Sequence, residues 1–271
     1  MGTLARDFRP AVCLALLLLL APIARAEDAP KGAVAAVSPA LCADMTARNV
    51  MTPISPVGCD RLRLVTFPYV GFDGRAHGNG EIVVMDAVAD PVLRIFTRLR
   101  ELRFPIAKAR LMNDYNGNDS ASTRDDNTSA FNARKAVGSN SLSMHAYGLA
   151  IDLNPVQNPF ATRAANGLKY MPPAGTAFAN RNNNPDENFR SGMAESVIDV
   201  FADNGFVIWG GRWRNPIDYQ HFQTFPALAP RLAAMPSREA LATFRDYVAR
   251  YRACRKNAAP GEPRAKCIGE R

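Results

Sequence analysis

The sequence contains no apolar run long enough to cross a bilayer as a helix, which takes about 20 residues. Cys-x-x-Cys pairs are also absent, so nothing points to a dithiol redox site or a zinc-thiolate site. No internal repeat and no long Ser/Gly linker divides the chain. With 47% hydrophobic and 21% charged residues, the composition is that of a globular protein, which argues against collagen-like, disordered and multispan membrane chains.

Residues 1–26 have the pattern of a secretory signal peptide. Two arginines precede a 12-residue apolar run, Ala11 to Pro22, and Ala24-Arg25-Ala26 follows it as a small-x-small cleavage pattern. The alternative is an uncleaved anchor, which the shortness of the run disfavours. We expect cleavage after Ala26 and an exported protein, periplasmic or extracellular, with no stable membrane span.

Positive charge is concentrated at the C-terminal end. Without residues 1–26 the net charge is +6, of which +5 falls in residues 245–271. This basic tail could be attracted to an anionic envelope surface. The other interpretation, which the pattern slightly favours, is a solvated end that aids solubility. A nucleic-acid partner is not expected, because export would remove the protein from nucleic acids.

Four cysteines remain after cleavage, which in an exported chain indicates two disulfides with three possible connectivities. We favour Cys42–Cys59 and Cys254–Cys267, because the members of each pair are close in sequence and lie at one end of the chain.

The mature chain fits one domain. Residues 27–58 are Ala/Pro-rich and predicted to be a loosely packed lead-in, and residues 236–271 a C-terminal helix with a disulfide-closed basic tail. Apolar spacing predicts strands at 61–64, 81–85 and 206–209, and helices at 90–102, 193–204 and 238–251. Strands and helices do not alternate regularly, which predicts an α+β fold: a central antiparallel sheet flanked by helices and long site-forming loops.

Two polar stretches, 113–142 and 154–190, are longer than ordinary connections. Long ordered loops in a compact domain often form the walls of a site. These two flank one short apolar segment, 143–152, which we therefore expect to carry the chemistry.

His145, Asp152 and His221 are the candidate metal ligands. Catalytic zinc takes about three nitrogen or oxygen ligands and leaves one position for water, and this set needs no cysteine. A turn at Gly148 could bring His145 and Asp152 together, with His221 arriving on a strand over 218–225 paired beside the first. His77, the remaining histidine, is interpreted as a surface or structural residue.

Asp218 is the candidate general base, which would take a proton from the attacking water and pass it to a leaving amine. It precedes His221 by three residues, and an odd separation in a regular strand points two side chains to opposite faces. We therefore expect a turn or bulge between them, and Pro216 makes an irregular approach plausible.

The string SMHAYGLAID matches S-x-H-x-x-G-x-A-x-D at every fixed position, and DYQH supplies a later D-x-x-H. Two motifs in this order resemble the VanY-like family of zinc D-alanyl-D-alanine carboxypeptidases and L-alanyl-D-glutamate endopeptidases, which cut peptidoglycan stem peptides. The resemblance extends over most of residues 59–225, so residues 59–235 are predicted to be the catalytic domain.

The resemblance implies His145, Asp152 and His221 as zinc ligands and Asp218 as general base. It implies Ser143 as a polar contact to substrate, for which a turn-forming role is the alternative. Family members use an upstream arginine to hold a substrate carbonyl or carboxylate, and Arg134 is the first candidate and Arg124 the second. An exposed loop arginine without such a role is the other interpretation.

One position departs from the family pattern, since relatives often read His-Phe-Glu where this chain has His-Phe-Gln at 221–223. Gln223 keeps hydrogen bonding but loses charge, so the orientation of the ligands could differ. Trp209 and Trp213 are candidates for the groove wall, although core packing explains Trp209 better.

These observations predict an exported zinc metallopeptidase acting on peptidoglycan peptides. The alternative is a non-catalytic envelope- or peptidoglycan-binding protein that keeps the fold. The sequence leaves open whether D-Ala-D-Ala or L-Ala-D-Glu bonds are cut.

Overall fold

The computed structural model describes residues 1–2, 31–181, 191–258 and 265–268. The predicted signal peptide therefore lies almost wholly outside the described residues, as does part of the basic tail. The described helices are α1 (Pro39–Ala47), α2 (Ala89–Glu101), α3 (Asp119–Arg124), α4 (Ile198–Ala202), α5 (Leu228–Ala234), α6 (Ser237–Asn257) and α7 (Ala265–Ile268). The described strands are β1 (Ala33–Ala36), β2 (Leu62–Val70), β3 (Ala76–Met85), β4 (Lys108–Ala109), β5 (Asn127–Thr128), β6 (Ala150–Asp152), β7 (Phe160–Ala164), β8 (Gly167–Met171), β9 (Ile208–Trp209), β10 (Ile217–Asp218) and β11 (His221–Gln223).

The predicted α+β fold is confirmed, but its antiparallel strands form three small sheets rather than one central sheet. Their strand orders are β1-β2-β3, β10-β7-β8 and β6-β11-β9, and β4 and β5 form a short parallel pair. The many turns and polar loops between strands interrupt pairing before a larger sheet can form.

Helix α2 covers the first sheet with an apolar stripe. Val92, Ile95, Phe96 and Leu99 recur at helical spacing and are all buried, and the Phe96 ring stacks on Phe67 of β2 with centroids 3.7 Å apart. Each such side chain contributes about 1.5–3 kcal/mol by leaving water. Leu102, expected on the same stripe, is instead 45% exposed because the helix ends at Glu101.

The segment predicted as a helix over 193–204 is shorter than expected. A 3₁₀ turn at Ala194–Val197 leads into α4, and the backbone turns at Gly205, whose φ is +92°. The predicted helix over 238–251 is present and extends from Ser237 to Asn257.

The N-terminal lead-in is not loosely packed where it is described. Strand β1 pairs with β2, and Met45 and Val50 belong to the hydrophobic core. Alanine and proline gave a weak apolar signal there, but the few large side chains are buried. Both favoured disulfides, Cys42–Cys59 and Cys254–Cys267, are present.

The polar stretches use asparagine as internal cross-links. Asn127, Asn132, Asn154 and Asn158 are at most 3% exposed, and their side-chain amides hydrogen-bond to backbone groups. Buried loop backbone needs such partners, which explains why these stretches are ordered without long helices or strands. No helix in the described part of the chain is both long and apolar enough to span a membrane.

Arg61 joins three parts of the fold. Its guanidinium pairs with Asp86 through Nε and Nη2, and it donates to the carbonyls of Leu232, Ala233 and Met235 at the end of α5. The last carbonyls of a helix lack partners within the helix, so Arg61 satisfies acceptors that would otherwise be left buried.

We expect Arg61→Leu to lower the free energy of unfolding by about 3–5 kcal/mol, because it leaves the Asp86 carboxylate buried without its partner. Urea denaturation measures the change. Arg98→Leu is the control: it breaks an exposed ion pair with Glu101 and should cost less than about 1 kcal/mol. Equal losses in the two variants would contradict this role of Arg61.

Candidate active site

The candidate site lies in a cleft of about 560 Å³ between the two polar stretches. Charged residues in its lining include Asp119, Arg124 and Arg134. Apolar residues in its lining include Phe160, Met171, Pro172, Trp213 and Pro216. The predicted ligand residues line the same cleft, as the flanking position of the polar stretches indicated.

Strand pairing brings His221 and Asp152 together. Strands β11 and β6 are antiparallel, with His221 directly opposite Asp152. Side chains of directly opposed residues project from the same face of a sheet with Cβ atoms about 4.5–5.5 Å apart. Phe222 points the other way, is fully buried and stacks on Phe201 with centroids 3.9 Å apart. Burial of this ring therefore fixes which face of β11 presents His221.

His145 comes from a 3₁₀ turn, Met144–Tyr147, rather than from a strand. Ser143 caps the turn by accepting a hydrogen bond from the backbone N–H of His145 at 3.3 Å. Gly148 ends it with φ +67°, and a Cβ there would lie only 2.5 Å from the backbone nitrogen of Met85. Only glycine fits this close approach without strain. Ser143 thus has the turn-forming role, and it also lines the cleft.

Three ligand atoms converge in the cleft. His145 Nε2 and His221 Nδ1 are 3.2 Å apart, and Asp152 Oδ1 lies 3.2 Å from the first and 3.0 Å from the second. Ligands about 2.0–2.1 Å from a tetrahedral zinc ion are about 3.3–3.4 Å apart. The spacing and the nitrogen and oxygen donor set fit one divalent ion.

Each imidazole is oriented by a hydrogen bond at its other nitrogen. His145 Nδ1 donates to the carbonyl oxygen of Ala130 at 2.5 Å, and His221 Nε2 donates to Gln223 Oε1 at 2.8 Å. A ring that carries its proton on the outer nitrogen leaves a lone pair on the inner one. Each ring is therefore oriented with its inner nitrogen toward the place where a metal ion would bind.

The buried ligand cluster favours an ionised aspartate. Burial by itself raises the pKa of Asp152, but the charges and hydrogen bonds of His145 and His221 lower it well below its ordinary value. Burial lowers the pKa of His221, but its hydrogen bond to Asp152, the charges of Asp152 and Asp218, and its hydrogen bond to Gln223 together raise that pKa.

Asp218 lies beside the cluster because the chain changes sheets after it. The expected single strand over 218–225 is instead two: Asp218 ends β10, which pairs with β7, and His221 begins β11 in another sheet. This break is the irregularity expected from the odd spacing. Asp218 is 9% exposed, and its Oδ1 has no hydrogen-bond partner among the described residues. Burial, then the Asp152 carboxylate, raises the pKa of Asp218 to about 7.

The two candidate arginines differ in how they are held. Arg134 forms an ion pair with Asp119 through Nε and donates from Nη1 to the Lys135 carbonyl oxygen at 3.2 Å. Its charge also opposes the rise in the pKa of Asp218. Arg124 lines the same cleft but is exposed.

Trp209, Trp213 and His77 differ in their position relative to the cleft. Trp209 is 9% exposed and donates from Nε1 to the Tyr219 carbonyl oxygen, which is a structural role. Trp213 is 36% exposed, lines the cleft and lies 5.4 Å from the His221 ring. His77 pairs with Asp73 and is not among the residues lining the cleft.

Two contributors were missed by sequence reasoning. The Ala130 carbonyl orients His145, and backbone acceptors carry no signal in side-chain types. Asp119 holds Arg134 and also accepts from Asn132 at 2.8 Å, but nothing in the sequence distinguishes it from the other acids of the polar stretch.

Residues 137–224 match a peptidase M15 family model described as D-alanyl-D-alanine carboxypeptidase. The match includes the ligand triad and Asp218 and is narrower than the expected 59–225, so Arg124 and Arg134 lie outside it. Comparisons with curated proteins and with solved structures give no match. The segment that forms the centre of the cleft is therefore similar to the VanY-like D-alanyl-D-alanine carboxypeptidase family, as its two motifs indicated.

Proposed function

We propose that the protein is an exported zinc metallopeptidase that hydrolyses amide bonds in peptidoglycan stem peptides, as a D-alanyl-D-alanine carboxypeptidase does. The observation that carries the proposal is the triangle of ligand atoms, each within 3.2 Å of the others, in a cleft that also contains the buried Asp218. The family of residues 137–224 supports the peptidase activity.

His145, Asp152 and His221 would hold the zinc ion. Zinc bound by such a set acts as a Lewis acid on a carbonyl group and lowers the pKa of water to about 7. The hydrogen bonds from the two rings to Ala130 and Gln223 hold the ligands in place before the ion binds.

Asp218 transfers the proton in this proposal. Its carboxylate takes a proton from the attacking water and delivers it to the nitrogen of the leaving amine. A general base works best when its pKa is close to the working pH, and burial beside Asp152 provides a pKa of about 7.

Arg134 binds the substrate in this proposal, with Arg124 as the second candidate. A guanidinium can donate two parallel hydrogen bonds to a carboxylate or a developing oxyanion. Ser143 lines the same cleft and is the proposed polar contact to substrate. The apolar lining residues, which include Trp213, would exclude water from the bound peptide.

Export and the cell-wall location follow from the signal-peptide pattern and from the proposed substrate. The basic residues of α6 and the tail could add attraction to an anionic envelope surface, which salt would weaken. The alternative function, a non-catalytic peptidoglycan-binding protein, has no use for a buried carboxyl group with a raised pKa, so the cleft favours the enzyme.

Purified protein should release D-alanine or new amino termini from stem peptides, and mass spectrometry identifies the bond that is cut. Asp218→Asn should lower kcat by about 10²–10⁴-fold and leave zinc content unchanged, because only the proton acceptor is lost. Asp246→Asn, at an exposed position on α6, is the control. Full activity of Asp218→Asn would reject the base, and an inactive wild type that binds peptidoglycan would favour the binding protein.

The wild type should bind one zinc ion per chain, and dialysis against a chelator should abolish hydrolysis until zinc is restored. We expect His145→Ala to weaken zinc binding by more than about 100-fold, since even the loss of an outer hydrogen bond costs 10–100-fold. His77→Ala, at the half-buried third histidine outside the cleft lining, should bind as the wild type does. Zinc titration with a competing chromophoric chelator measures the zinc affinity of each variant. Equal affinities in His145→Ala and His77→Ala would remove His145 from the ligand set.

Arg134→Lys tests the substrate contact, because lysine keeps the charge but not the paired donors. If Arg134 binds the developing oxyanion, kcat should fall by about 10²–10³-fold; if it binds a terminal carboxylate, KM should rise instead. Arg124→Lys should have little effect on either constant. A large effect of Arg124→Lys alone would transfer the role to Arg124.

A further inference from the structure

Gln223 is placed by the same strand that presents His221. The two residues are two positions apart on β11, so their side chains lie on one face of the strand. Gln223 is 6% exposed, and the buried Phe222 ring between them fixes the rotation of the strand. The side chain of Gln223 therefore meets the far edge of the His221 ring.

The hydrogen bond between them decides which nitrogen of His221 is free. Nδ1 is the nitrogen that faces Asp152 Oδ1 and His145 Nε2. A neutral ring with a lone pair on Nδ1 carries its proton on Nε2, and a buried N–H needs an acceptor. Gln223 Oε1, 2.8 Å from Nε2, is that acceptor.

The acceptor is an uncharged amide group. Two carboxyl groups already lie in the cleft: Asp152, which is half-buried, and Asp218, which is buried. A glutamine amide accepts the hydrogen bond without adding a third negative charge.

We propose that Gln223 is a positioning residue that fixes the orientation and protonated nitrogen of His221, so that Nδ1 faces the metal. The inference rests on the proposed zinc function. His145 obtains the same support from the backbone carbonyl of Ala130, which a side-chain substitution does not remove. Gln223 is thus the support that mutation can test directly.

Gln223→Leu keeps the volume but removes the acceptor, and we expect zinc affinity to fall by about 10–100-fold. Gln223→Glu restores the acceptor, and its affinity should return to the wild-type value or exceed it. Thr224→Val is the matched control, because Thr224 is the next residue, is fully buried, and its hydroxyl has no partner among the described residues. Competition with a chromophoric chelator measures each affinity.

Two further measurements separate positioning from general damage. Thermal unfolding of the metal-free proteins should give similar midpoints for Gln223→Leu and the wild type. The visible spectrum of the cobalt-substituted protein, which reports ligand geometry, should change in Gln223→Leu and return in Gln223→Glu.

Unchanged zinc affinity in Gln223→Leu, or a Gln223→Glu variant as weak as Gln223→Leu, would overturn the inference. Failure of the proposed function looks different. A wild type that binds zinc but cuts no stem peptide would refute the peptidase while the affinity series still supports the role of Gln223.

Discussion

The site depends on one cross-strand pair. His221 on β11 stands opposite Asp152 on β6, and both are held there by strands whose alternate residues are buried in the core. A slip of one residue in this register would turn His221 away from the cleft and force Phe222 into it. The cost of exposing Phe222, which is fully buried, thus protects the geometry of the candidate metal ligands.

The remaining groups are arranged around that pair by irregular backbone. His145 is delivered by a turn that requires Gly148 against the backbone of Met85, and Asp218 by a strand that ends before β11 begins. Regular strands would place Asp218 and His221 on opposite faces. The interruption between the sheets is therefore what allows a carboxyl group and a ligand three residues apart to share one cleft.

Sequence reasoning located the centre of the site better than its surroundings. Fixed residue types at fixed spacings predicted His145, Asp152, His221 and Asp218, because metal ligation and proton transfer demand particular side chains. The structure brings the four residues into one cleft, and their roles stay predictions. The odd spacing of Asp218 even predicted the break in the strand. Sequence reasoning missed Asp119 and the Ala130 carbonyl, because their roles depend on contacts between separate segments of the chain.

The fold was also predicted better in some parts than in others. The apolar period of α2 predicted its buried face, whereas the small sheets and the packed lead-in depended on tertiary contacts that weak local patterns did not indicate.

The surroundings of two carboxyl groups in the cleft shift their pKa values in opposite directions. Asp152 faces two imidazole rings, which lower its pKa. Burial, together with the smaller effect of the nearby Asp152 charge, raises the pKa of Asp218 to about 7. Under the proposed function the two groups would have different tasks: the ionised Asp152 would bind the cation, and Asp218, which titrates near neutrality, would exchange protons. The tertiary placement of the two strands thus gives two residues of the same type different properties.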